Sequence, residues 1–298
     1  MAMIRISVAT LCACLAAAGA AASGARAAEL IFETSFERED PVPWAVRPNG
    51  GGHWNIKGTG TWLSLGQDDY IQLVVNGVAH SGTNSIRHMV KHNEARGQAY
   101  CDLDQGYDDL YVRQYVYFTC PGGKYDHGTG AKIGRFYSAR PSGYKNLDVV
   151  LVAGSWQDAS RGADSNRSLS LHYNGPPDMP DWGALYTGVV FEDNRWYCIE
   201  CHVKLNTPGQ SDGLVEIFVD GEQRGRKENL NIRADTDHKF NRLLAGGWWS
   251  NGGSAECTPP ADGVQYRYID DFAVSTNYIG PIESGALAAP KALMVTRP

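Results

Sequence analysis

The chain has 298 residues, with 27 Lys and Arg against 33 Asp and Glu; 43% of it is apolar and 20% charged. That apolar share is too high for a disordered chain, and the formal charge of −6 argues against a nucleic-acid binder. Beyond the N-terminus no apolar stretch approaches the roughly 18 residues of a membrane span, so no membrane partner is expected.

The first element in chain order is not expected to belong to the fold. Residues 1–5 give a short basic start, 6–22 run apolar and small, and Ala25-Arg26-Ala27 supplies a small-x-small cleavage pattern. This reads as a secretory signal peptide over 1–27, and the location as extracellular or periplasmic. Removing 27 of 298 residues leaves 271; it takes away Arg5 and Arg26, moving the formal charge from −6 to −8. No linker rich in Pro, Ser or Gly divides the remainder, and no internal repeat is present. One domain over 28–283 is expected, followed by a loose tail over 284–298, and the protein is expected to be a monomer.

Period-two alternation recurs through the mature chain, and amphipathic helical spacing is nearly absent. Strands are predicted over 70–75, 84–91, 111–118, 131–137, 147–153, 168–173, 196–205, 214–219 and 266–274. Turn signals such as Pro121-Gly122-Gly123, Asn174-Gly175-Pro176-Pro177 and Asp220-Gly221 separate them. Many short strands of this kind predict an all-β fold, a jelly-roll sandwich of two antiparallel sheets.

The faces of these strands are unusual. On 111–118, Val112, Val116 and Phe118 share one face, and Tyr111, Arg113, Tyr115 and Tyr117 the other. On 168–173, Leu169, Leu171 and Tyr173 point inward, leaving Ser168, Ser170 and His172 outward. Lys132 is out of phase with Ile133 and should leave the core, on the same sheet as Arg113. In Arg87-His88, His88 shares a phase with Ile86 and Val90, which fits a core histidine as well as a site one, and Arg87 points outward. Aromatic rings stack on apolar sugar faces and guanidinium groups pair with carboxylates, so such a surface suits acidic sugars. Tyrosines are also good cross-strand partners, which gives the same pattern a purely structural origin.

Five cysteines, Cys101, Cys120, Cys198, Cys201 and Cys257, follow the expected cleavage point. In an exported protein two disulfides and one leftover thiol are expected, with the pairing open. Cys198 and Cys201 are an odd number of residues apart on a predicted strand. Their sulfurs therefore face opposite ways, which is poor geometry for a dithiol or a shared metal.

The stretches Asp109-Leu110-Tyr111-Val112-Arg113-Gln114-Tyr115-Val116-Tyr117-Phe118 and Gly130-Ala131-Lys132-Ile133-Gly134 resemble the concanavalin A-like jelly-roll polysaccharide lyases. So do Trp196-Tyr197-Cys198-Ile199-Glu200, Phe218-Val219-Asp220-Gly221 and Tyr268-Ile269-Asp270-Asp271-Phe272. The relatives concerned are the alginate and glucuronan lyases and fungal cellulose-induced proteins, and the resemblance runs over about 29–280. It implies β-elimination on a uronic-acid polymer in a groove on the concave sheet, with an acidic polysaccharide as partner. That chemistry needs a cation on the sugar carboxylate, a base for the C5 proton and an acid for the departing O4. By the resemblance Arg113 and Lys132 match the family's strand cations, and Tyr115, His172 and His88 are candidates for base and acid. Tyr111, Tyr117, Arg87 and Ser170 are candidates for substrate binding. The paired tyrosines of some alginate lyases have no clear counterpart.

Glu37 near the start, and Asp270 and Asp271 near the end, resemble the acids that hold a structural calcium in jelly-roll carbohydrate-binding modules. The loop His80-Ser81-Gly82-Thr83-Asn84 is the expected source of carbonyls; calcium takes about six to eight oxygens.

Two other functions compete. A non-catalytic carbohydrate-binding module would use the same fold. A glycoside hydrolase needs paired carboxylates, but neither Glu-x-Asp-x-Glu nor Glu-x-Asp-x-x-Glu occurs. The charge of −8 would repel a polyanion at long range, leaving local cations to attract it.

Overall fold

The structure is a computed structural model. It describes residues 30–37, 52–57, 71–75, 77–91, 98–119, 131–137, 148–153, 168–174, 181–249 and 264–282. The expected signal peptide, the tail and the positions of Cys120 and Cys257 lie outside the described residues.

Every element among the described residues is a strand. In order they are β1 (Leu30–Thr34), β2 (Gly52–Lys57), β3 (Ile71–Val75), β4 (Asn84–Lys91), β5 (Gln98–Tyr107), β6 (Asp109–Thr119), β7 (Ala131–Tyr137) and β8 (Asp148–Ala153). There follow β9 (Ser168–Asn174), β10 (Trp182–Val190), β11 (Trp196–Lys204), β12 (Gly213–Val219), β13 (Glu222–Leu230), β14 (Phe240–Trp249) and β15 (Val264–Ser275). They form two sheets. An eight-stranded one runs β13-β12-β11-β6-β15-β4-β3, with β1 also paired to β15; a seven-stranded one runs β10-β9-β8-β7-β14-β5-β2. All pairings are antiparallel.

The inner faces meet in one core, to which Leu110, Val116, Phe118, Ile199 and Ile217 contribute from one sheet and Ile133, Phe136, Leu169, Leu171 and Leu243 from the other. The alternation read from the sequence sets these faces on β6 and β9. Each predicted strand is present to within a few residues at its ends. The sequence pattern did not reveal β1, β2, β5, β10, β13 or β14. In β13 the reason is plain: Glu222, Gln223, Arg224, Arg226, Lys227 and Glu228 leave no apolar alternation. Charge of this kind on an edge strand discourages pairing with another chain.

The hairpin between β12 and β13 turns on Asp220 and Gly221, both with positive φ (52° and 82°). Two such residues suit the twist of a two-residue hairpin. Gly221 has a second constraint, because a Cβ there would sit 3.0 Å from the Pro281 ring. The chain after β15 thus packs back across the eight-stranded sheet.

Candidate active site

The sequence expectation placed Arg113 and Lys132 on one sheet. The structure separates them: Arg113 lies on β6 in the eight-stranded sheet, Lys132 on β7 in the seven-stranded one. The aromatic and cationic residues consequently divide between two outer faces that point away from each other.

On the eight-stranded sheet, the outer face of β6 is covered. Arg113 is 8% exposed. Its Nη1 donates to the Gly280 carbonyl at 3.1 Å, and Nε and Nη2 donate to the Asp271 carbonyl at 3.4 and 3.5 Å. Cross-strand from it, Glu200 accepts from the Ile279 and Gly280 N–H groups, both at 2.8 Å. Tyr115 is buried beneath the His80 ring (centroids 3.6 Å apart), and its hydroxyl accepts from Ile282 N at 2.7 Å. Burial pushes its phenol well above the ordinary range. Arg113 and Tyr115 thus clamp the segment after β15.

The neighbouring candidates on this sheet are similarly placed. Tyr111 stacks on His202 (centroids 3.9 Å apart), and burial with the Glu216 charge raises its hydroxyl to about 12. His202 lies between two carboxylates, with Nδ1 2.6 Å from Glu216 Oε2 and Nε2 2.7 Å from Asp109 Oδ1. Burial opposes its charge, but the hydrogen bonds and charges of Asp109 and Glu216 hold it above the usual histidine range. Tyr117 packs on Trp196 and Tyr268, and its hydroxyl donates to Asn194 Oδ1 at 3.2 Å. The Arg87 guanidinium lies 4.8 Å over the Tyr266 ring. His88 is 1% exposed on the inward phase of β4 with Ile86, so it is a core histidine. Arg87, His88, Tyr111 and Tyr117 thus share the sheet of Arg113, not that of Lys132.

Cys198 and Cys201 are both free and buried. Cys201 belongs to the core, while Cys198 pairs cross-strand with Tyr115 on the other face. Burial raises both thiols, Cys198 to about 12, which keeps them protonated and unreactive. Two free thiols leave at most one disulfide among Cys101, Cys120 and Cys257, which overturns the expected two.

The acids expected to hold calcium do gather around one loop. Glu37 Oε1 accepts from Thr83 N and Asn84 N, both at 2.7 Å, and Asp270 Oδ2 accepts from His80 N and Ser81 N. Asp271 Oδ1 accepts from Ser81 Oγ, and its Oδ2 lies 2.6 Å from His80 Nδ1. The loop supplies donors here, where the sequence suggested carbonyls. Among the described residues no three His, Cys, Asp or Glu side chains converge as a metal-holding group.

The outer face of the seven-stranded sheet carries the remaining candidates, Lys132, Ser170 and His172. Ser170 and His172 point away from the core, since Leu169, Leu171 and Tyr173 fill it. Ser170 Oγ lies 3.0 Å from His172 Nε2. Burial, reinforced by the Lys132 charge, lowers the His172 pKa, so the imidazole is neutral at neutral pH. Register sets two rows across this face. One runs Tyr186–Ser170–Val152–Lys132–Trp248 and the next Ala184–His172–Val150–Arg135–Leu244. Tyr186 is 42% exposed, one of two large apolar-bodied side chains so open among the described residues.

The sequence reading missed Tyr186, and it did not foresee the register position of Arg135 in the second row. A bulge explains Arg135: Lys132 pairs with Val152 and Gly134 with Leu151, so Ile133 is an extra residue and the phase reverses across it. Gly134 inside a predicted strand was the available signal.

Residues 183–270 match the family model Polysaccharide lyase 14. No curated protein matches the chain. Among solved structures, the marine PL-14 alginate lyase from Aplysia kurodai aligns with a TM-score of 0.55 at 17% identity, covering 70% of this chain and 88% of that one. An endo-β-1,4-glucuronan lyase from the fungus Trichoderma reesei gives 0.54 at 13% identity, with 76% and 96% covered. An alginate lyase from a Chlorella virus gives 0.53 at 14%, with 74% and 92% covered. The structural likenesses establish the fold. The matched segment, β10 to β15, is the part of this chain that resembles the polysaccharide lyase family model.

Proposed function

We propose that the protein is an exported lyase that cleaves a uronic-acid polymer of the alginate or glucuronan type in a groove on the outer face of the seven-stranded sheet. The observation that carries this reading is that Lys132, His172 and Ser170 share one outer face, where Ser170 Oγ lies 3.0 Å from His172 Nε2 and the Lys132 charge acts on that imidazole, with Tyr186 in the row of Ser170 and Lys132. Lys132 pairs with the sugar carboxylate and stabilises the charge that builds there as the C5 proton leaves. The neutral His172 imidazole takes that proton on a ring nitrogen, and its contact with Ser170 Oγ fixes the ring orientation. The C4–O4 bond then breaks as the C4=C5 double bond forms, and the Tyr186 phenol gives its proton to O4. The product is an unsaturated sugar end, whose conjugated double bond absorbs in the ultraviolet.

The test is an absorbance assay over alginate, glucuronan and other uronate polymers. A rise with one of them supports the reading. Binding without unsaturated ends replaces it with a carbohydrate-binding module.

A structural calcium at Glu37, Asp270 and Asp271 belongs to the same proposal. Its oxygen donors suit a hard cation, and three carboxylates around one loop favour positive charge. A cation there has to take over oxygens that His80, Ser81 and Thr83 engage. If bound only by the native state, it raises the melting temperature and leaves kcat unchanged. Identical melting curves with calcium and with chelator, and no calcium by elemental analysis, reject it.

A further inference from the structure

The β7 bulge decides which way Lys132 faces. In an unbroken strand Lys132 would share its phase with Gly134 and Phe136. Those positions face the core: Phe136 is part of it, and a Cβ on Gly134 would meet the Gln114 side chain from the opposite sheet. Ile133 is the extra residue, and its insertion moves Lys132 to the phase of Val152 and Val150 on the outer face. A one-residue slip would return Lys132 to the core side. Strand β14 shifts register at the same level, with Ala245 opposite Gly134 and Trp248 opposite Lys132.

An extra residue in a bulge is left out of the ladder, so its buried backbone groups need partners elsewhere. Gln114 supplies one. It lies on the inward face of β6, 3% exposed, and its Nε2 donates to the Ile133 carbonyl across the sandwich at 2.9 Å. The approach depends on Gly134, whose Cβ would sit 3.1 Å from that nitrogen. The Gln114 Oε1 is buried with no hydrogen-bond partner among the described residues. An apolar side chain here would remove that unmet acceptor but take from the buried Ile133 carbonyl its Gln114 donor, so stability alone does not select glutamine.

We propose that Gln114 is a positioning residue, which holds the β7 bulge through the Ile133 carbonyl and so keeps Lys132 on the groove face beside His172. Its link to turnover rests on the lyase reading above; the tie itself does not. The groups around His172 make it a reporter. Lys132 and Ser170 act on it, Val150 and Ala184 are its neighbours on the adjacent strands, and Arg135 stands one strand beyond Val150.

The experiment compares wild type, Gln114→Met, Lys132→Ala and the double variant by NMR titration of His172, by kcat and KM, and by melting. In Gln114→Met the His172 midpoint should rise toward its value in Lys132→Ala, and the fold should melt within a few degrees of wild type. On the best uronate polymer kcat should fall about tenfold or more with KM little changed, the result of a misplaced group. The double variant should match Lys132→Ala. Gly134→Ala, which crowds the amide from β7, should move the midpoint in the same direction. Wild-type midpoints and kcat in both Gln114→Met and Gly134→Ala overturn the proposal. So does an equal further loss of activity when Gln114→Met is added to Lys132→Ala. If the wild type makes no unsaturated ends, the lyase reading fails, and the His172 midpoints alone decide the tie.

Discussion

The two outer faces of the sandwich use the same kinds of residue for different ends. On the eight-stranded sheet, Tyr111, Arg113, Tyr115 and His202 each meet a partner within the chain, and the segment 276–282 runs across them. On the seven-stranded sheet, Lys132, His172 and Tyr186 share a face; Tyr186 is open on the edge strand, while Ser170 and Val150 on the same face are buried. Residue type therefore does not mark a site. On the eight-stranded sheet the polar ends of those side chains are consumed by the protein's own backbone. The Glu200 carboxylate, with two N–H donors, and the Arg113 guanidinium, with two carbonyls, are consumed in this sense.

The sharpest way to break this comparison is to exchange the expected effects of its two cations. Lys132→Ala should lower kcat about a hundredfold, on the order of 3 kcal/mol of transition-state stabilisation, with little change in melting temperature. Arg113→Ala should do the reverse. It strands buried carbonyls and leaves the Glu200 charge without its neighbour, a loss of about 2 kcal/mol, or about 5 °C in melting temperature, with kcat of the folded protein kept. Loss of kcat in folded Arg113→Ala would return the site to the eight-stranded sheet.

The two histidines provide a smaller test, because their shifts have opposite signs. His202 binds its proton more tightly in the folded state, so its stabilising contribution is complete below the unfolded value of about 6.5 and is lost as pH rises through the folded midpoint. The melting deficit of His202→Gln should accordingly be largest in acid and shrink on raising the pH. His172 binds its proton more weakly in the folded state, so stability falls as pH drops from about 6.5 toward the folded midpoint. His172→Gln should remove that fall. Parallel melting-temperature profiles for wild type and both variants would refute the contrast.

The smallest effect is expected at the rim. The Arg195–Asp220 pair at 2.8 Å has both side chains well exposed. Arg195→Ala should cost about 0.5 kcal/mol or less and leave activity untouched. A large loss of kcat would extend the site to that edge.

Much of the fold was legible in the sequence because strand alternation is local: a residue's face follows from its neighbours two positions away. Leu169, Leu171 and Tyr173 went inward and Ser170 and His172 outward, as the alternation predicts. Cys198 and Cys201 divided between faces for the same reason. The sequence could not say which sheet a strand joins. Sheet membership depends on pairing between distant segments, and β6 and β7, consecutive in the chain, fall in different sheets. That separation took Arg113, Tyr115 and His88 away from Lys132. Nor could a period-two reading foresee the extra residue at Ile133, since a bulge exists only relative to a partner strand. The sequence determined which residues are outward on each strand and that the strands make a sandwich. Only the tertiary structure decided which outward residues meet, because that choice is made by long-range register and by the chain segments that cover one face.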